Sequence, residues 1–83
     1  MPRYFFHTHV GADVVADPVG TDLRDPDAAW TTARDTIRAL MAEPRNQARL
    51  MGASLVVTDA EGAVILEFPF AEAMTGRGDG SVH

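Results

Sequence analysis

The chain has 83 residues and a formal net charge of −5, with seven arginines, no lysine and no cysteine. That length allows one small core, burying roughly 60–65% of the surface the unfolded chain exposes, and the missing thiols exclude a disulfide framework, a cysteine-ligated zinc and a thiol nucleophile. The acidic balance argues against a general nucleic-acid binder. No apolar run approaches the ~20 residues a bilayer span requires, and no basic stretch followed by an apolar run opens the chain, so the expectation is a cytoplasmic domain without a membrane anchor.

In Pro2-Arg3-Tyr4-Phe5-Phe6-His7-Thr8-His9-Val10, three consecutive aromatics must alternate faces if the chain is extended. Tyr4 and Phe6 then face one side and Phe5 the other, which marks an inner strand from Arg3 to His9 or Val10. Gly11-Ala12 breaks it and Val14-Val15-Ala16 resumes a short β-branched run, so a hairpin is expected. Asp17-Pro18-Val19-Gly20 has the chemistry of a tight turn, and its acidic residues lack the ligand spacing of a calcium loop.

Asp25-Pro26-Asp27 starts a helix: Asp25 caps, Pro26 suits the first helical position, and Asp27 lies at the positive end of the dipole. The helix runs from Ala28 to about Ala42, with Ala29, Ala33, Ile37, Leu40 and Met41 on one apolar face and Trp30 beside it. Pro44 ends or kinks it at Glu43, and Arg45 to Met51 forms a second short helical segment stopped by Gly52. Ser54 to Thr58, the turn Asp59-Ala60-Glu61-Gly62 and a return strand from Ala63 to Phe70 make a second hairpin. In the return strand Val64, Leu66, Phe68 and Phe70 share one face, opposed by Ile65 and Glu67.

These elements predict a two-layer α+β domain over residues 1–74, ββαββ, with a four-stranded antiparallel sheet in the order second, first, third, fourth and one main helix on one face. Residues 75–83, rich in glycine, are expected to be a disordered tail. Arg77-Gly78-Asp79 within it matches the integrin-binding tripeptide, a coincidence in a chain read as not secreted.

The opening Met1-Pro2-Arg3-Tyr4-Phe5-Phe6-His7, followed by Asp17, Gly20, Leu23, Asp25, Ala28-Ala29 and later Val57, Asp59, Gly62, Val64 and Leu66, resembles a family of short bacterial proteins classed as a domain of unknown function. The resemblance spans about residues 2–70; Pro44 and the segment after Phe70 depart from the pattern. It implies a compact cytoplasmic domain and carries no mechanism.

Three features bear on function. His7 and His9, two apart on a strand, share a face and could offer two nitrogens to a metal, but the third histidine is His83 in the tail and no telling carboxylate accompanies them. Arg34 with Arg38, and Arg45 with Arg49, are each four apart and could bind an anion, against the plainer reading of a solvated helix surface. The sequence has no phosphate-cradling glycine loop after a strand and no serine at a nucleophile elbow, so no catalytic residue and no cofactor is assigned. If one helix covers Tyr4, Phe6, Leu55, Val57, Val64, Leu66 and Phe68, then Phe5, His7, Val56 and Ile65 are left on the opposite face. Such a patch marks an association site unless the tail or the loop after Pro44 covers it. Two function classes stay open: a non-enzymatic binding or regulatory module that forms a homodimer or takes an unidentified protein partner through this face, and a small RNA-contacting or metal-dependent protein using the arginines or the histidine pair.

Overall fold

The structure is a computed structural model and describes residues 1–75. Strand β1, Arg3–Val10, turns through Gly11-Ala12 into β2, Asp13–Val15. Gly11, at φ +60°, occupies the first central position of this two-residue loop, where glycine relieves the steric conflict a Cβ would create. The chain then leaves the sheet at Asp17 and returns as β3, Thr21–Asp22, which pairs Tyr4 with Thr21 and Arg3 with Asp22. Helix α1, Pro26–Met41, begins where Asp25 Oδ1 accepts the Ala28 N–H at 2.8 Å, with Pro26 at the first helical turn. Helix α2, Pro44–Leu50, follows after Glu43, whose extended backbone is what a following proline demands. Strands β4, Ser54–Thr58, and β5, Val64–Pro69, form the second hairpin, and α3, Phe70–Thr75, follows β5 directly.

All pairings are antiparallel and the order is β2-β1-β4-β5, with β3 beside the first residues of β1. The four expected strands therefore stand in the expected order, and the sheet gains a fifth. The helices form the second layer. Ala29, Ala33, Ile37 and Met41 of α1, Leu50 of α2, and Phe70 and Ala73 of α3 join Tyr4, Leu55, Val57 and Phe68 in one core. The molecule is a slab of 34 × 33 × 18 Å, thin enough for two layers and no more.

The expected ββαββ layout with one main helix needs three corrections. Pro69 ends β5, so Phe70 does not extend the alternation of Leu66 and Phe68; its N–H donates to Ala53 O and it opens a helix in which Phe70 and Ala73, three apart, are both buried. Val64 is 64% exposed, because a register step between Val57 and Thr58 sets Val64 opposite Thr58 while Leu66 remains opposite Val57. Phe6 packs on the core but is half-buried, whereas Phe70 is fully enclosed. Of the expected tail, Thr75 closes α3 and residues 76–83 lie outside the described residues, as does His83.

Candidate functional site

Strand alternation gives β1 two faces. Tyr4, Phe6, Thr8 and Val10 turn to the helices, and Phe5, His7 and His9 turn away. On β4, Leu55 and Val57 enter the core. Val56 is 9% exposed yet lies outside the core cluster, between its register partners His7 and Glu67. Ile65 and Glu67 of β5 are exposed. Phe5, His7, Val56 and Ile65 thus come together on the sheet face that the helices leave uncovered, as the alternation predicts. Helix α2 packs on α1 and sends Leu50 into the core, so the segment after Pro44 does not screen this face.

What partly screens it is the loop between β2 and β3. Between the pairs Thr8 with Val15 and Tyr4 with Thr21, β1 has three residues while the returning chain has five, Ala16 to Gly20, and the excess arches out of the ladder. The gap would leave the Phe6 N–H without a strand partner, and Asp17 fills it: Oδ2 accepts from Phe6 N at 3.1 Å. Oδ1 of the same carboxylate accepts from Val19 N and Gly20 N, each at 3.1 Å. The Gly20 N–H, aided by those of Phe6 and Val19 and by the nearby His7, holds the Asp17 carboxyl below its ordinary value of 3.8 against the opposing effect of burial.

The loop is pinned to the sheet face by His7. The Asp17 N–H donates to Nδ1 at 3.1 Å, and because a backbone N–H can only donate, the proton of the neutral ring lies on Nε2, which gives it to Thr58 Oγ1 at 3.1 Å. The Phe5 and His7 rings lie nearly parallel, 6° apart in plane and 6.4 Å between centroids. Gly20 closes over Phe5. With φ at +78°, it has no room for a Cβ, which would come within 2.8 Å of Arg3 Cγ and of Phe5 Cε2. Arg3 ties the end of the loop down, with Nη1 on Val19 O at 2.8 Å and Nε on Asp22 Oδ1 at 3.0 Å.

The other candidates are placed as follows. His7 and His9 share the face, but His7 uses both nitrogens within the fold, and among the described residues no group of three or more His, Asp or Glu side chains is placed to hold a metal. Arg34 lies over the Trp30 ring at 5.2 Å and 3.6 Å from Asp35, while Arg38 Nε donates to Ala73 O at 3.4 Å. Arg38 thereby ties α1 to α3. Arg45 and Arg49 belong to the separate helix α2, where Arg49 reaches Asn46, so the four arginines are divided between two elements. An open cavity of about 240 Å³ beside the β4–β5 turn is lined by Pro2, Arg3, Asp59, Ala60 and Glu61, and includes none of these candidates.

Asp17 and Thr58 were not among the sequence candidates for this face. The sequence marks Asp17-Pro18-Val19-Gly20 as a tight turn; the reach of Asp17 across to Phe6 and His7 depends on how the loop lands. Residues 3–71 match the model of a family described only as a domain of unknown function. No curated protein and no solved structure matches the chain.

Proposed function

The chain belongs to that family, the domain of unknown function DUF6894, and from this premise we propose that it is a non-enzymatic binding module that self-associates through the sheet face bearing Phe5, His7, Val56 and Ile65. One observation carries the reading: the helices all pack on one face of the sheet, and the other face carries Phe5 and His7 half-buried, Val56 almost wholly buried and Ile65 exposed at 40%. Apolar patches of this kind on small proteins commonly serve association.

The geometry favours the face over the open edge of β5. The Phe70 N–H points to β4, so by alternation the free edge carries the polar groups of Ile65 and Glu67. That edge is interrupted by the register step at one end and ends on Pro69 at the other, with the exposed charge of Glu67 between, all features that discourage strand addition. Four strands of three to eight residues, about 4.8 Å apart, give a patch of about 350 Å² in plan. This falls short of the ~800 Å² per partner of a standard interface and places the homodimer in the weak, concentration-dependent class.

Light scattering over a concentration series tests this. The parent should pass from monomer to dimer as concentration rises, and Ile65→Arg, checked for an unchanged circular dichroism spectrum, should remain a monomer. A parent that stays monomeric up to about 1 mM, the affinity scale of the weakest specific contacts, would rule the reading out.

A further inference from the structure

We infer that His7 is a proton-operated latch: its neutral ring holds the 17–20 loop against the sheet face, and protonation of that ring releases the loop. This deepens the association reading by giving the same face a regulator, and it rests on that reading only for its consequence on assembly.

Donors and acceptors at the two ring nitrogens decide whether the loop is held. In the neutral ring Nδ1 is an acceptor and takes the Asp17 N–H, while Nε2–H donates to Thr58 Oγ1. Protonated imidazole has donors at both nitrogens and no acceptor. The Nε2 contact survives, because a hydroxyl oxygen can accept, but Nδ1–H would confront the Asp17 N–H donor to donor.

The charged and titratable groups around the ring decide where the new proton can go. Asp17 from the loop is the nearest anion, and its effect is to attract the imidazolium. On β1, His9 shares the face; on β4, the neighbours Val56 and Thr58 are neutral; on β5, Glu67 stands beyond Val56. Asp17 Oδ1 already accepts two N–H groups and Oδ2 one, so a single lone pair on Oδ2 remains for the ring. A ring that turns to take it must leave Thr58. Whether the ring stays or turns, the Asp17 N–H loses its acceptor. The three backbone hydrogen bonds that the Asp17 carboxylate accepts, from Phe6, Val19 and Gly20, are then strained by any move of that carboxylate toward the ring.

The consequence falls on Phe5. Gly20 is packed so closely on its ring that the loop cannot lift without uncovering it. Acid therefore adds a positive charge to the face and uncovers an aromatic side chain in one event.

The test is a two-dimensional amide spectrum of the whole chain titrated from pH 7.5 to 5, with the His7 ring carbons followed in parallel. It is run in the Ile65→Arg background, so that the latch is measured whether or not the parent dimerises. The Asp17 amide should move with the same midpoint as the His7 ring, and its hydrogen exchange, corrected for the intrinsic pH effect, should quicken about tenfold, the size of one hydrogen bond given up. His7→Asn keeps an acceptor at the δ position and cannot titrate, and should leave the Asp17 amide unmoved across the range. The inference is overturned by an Asp17 amide that stays still while His7 titrates, by a His7 ring that does not titrate above pH 5, or by an equal shift in His7→Asn. Failure of the association reading would instead show as a monomeric parent with the amide titration intact.

Discussion

At the scale of single residues, Asp17 joins the loop to the β1 ladder. A carboxylate that accepts three backbone N–H groups stabilises the loop and closes the gap in the β1 ladder, so Asp17→Ala should cost about 1–3 kcal/mol, seen as a lower melting temperature with the sheet intact. The pH dependence follows from the lowered folded pKa. The stabilisation is fully present above the unfolded value near 3.8 and is lost as pH falls through the lower folded value. In the His7→Asn background, where the neighbouring side chain cannot titrate, the gap in stability between Asp17 and Asp17→Ala should therefore be constant from pH 7 to about 5 and close below 3.8. A gap that widened on acidification would contradict the assigned hydrogen bonds. Asp25 acts on a smaller scale: its one cap to Ala28 N makes Asp25→Ala cost about 1 kcal/mol, measurable by thermal melting, and an unchanged melting temperature would mean that α1 is held by packing alone.

Among elements, the short C-terminal helix α3 changes which aromatic matters most. Phe70 is fully buried, donates its N–H to Ala53 O, and sits where β4, β5 and α1 converge; Phe6 touches the same core but is half-buried. Phe70→Ala should cost about 3–5 kcal/mol, close to the whole stability of a domain this small, and Phe6→Ala distinctly less. Chemical denaturation of both variants checks the order, and a larger loss for Phe6 would place the centre of the core nearer β1. Val64 makes the complementary case. Its exposure after the register step means that Val64→Thr should change stability by no more than about 0.5 kcal/mol, although it stands in an alternating apolar strand.

For the whole molecule, the two-layer slab leaves one sheet face to be satisfied by other means. Half of the answer is internal, since the 16–20 loop folds onto Phe5 and His7; Val56 and Ile65 remain on the other half. A weak dimer through that face links folding to concentration. The parent's melting temperature should rise with protein concentration, while that of Ile65→Arg should not. Parallel curves for the two would remove the face from the association surface. Among the described residues no helix is long and apolar enough to cross a membrane.

The signals legible in the chain were those written in short-range periodicity and special backbone residues. The aromatic alternation of β1, the Asp25-Pro26 start of α1, the Pro44 break and the positive φ of Gly62 each follow from local sterics, and they were enough to order the four longer strands. They also divided the sheet into its two faces as far as the register step that turns out Val64, because a period of two admits one answer once Tyr4 is known to be inside. Tertiary structure decided the rest, wherever an element was too short to show a period or a side chain acted at a distance. Two residues of β3 have no pattern to read, and they pair because Arg3 and Asp22 meet across the ladder. Phe70 continued the alternation of the strand, but Pro69 in β5 and the pocket beside Ala53 turned it into the first residue of a helix. Asp17 looked like the residue of a local turn. Only the folded chain brings it within hydrogen-bonding distance of Phe6 and His7, eleven and ten residues away, where the missing partner of a β1 amide makes a carboxylate the stabilising choice.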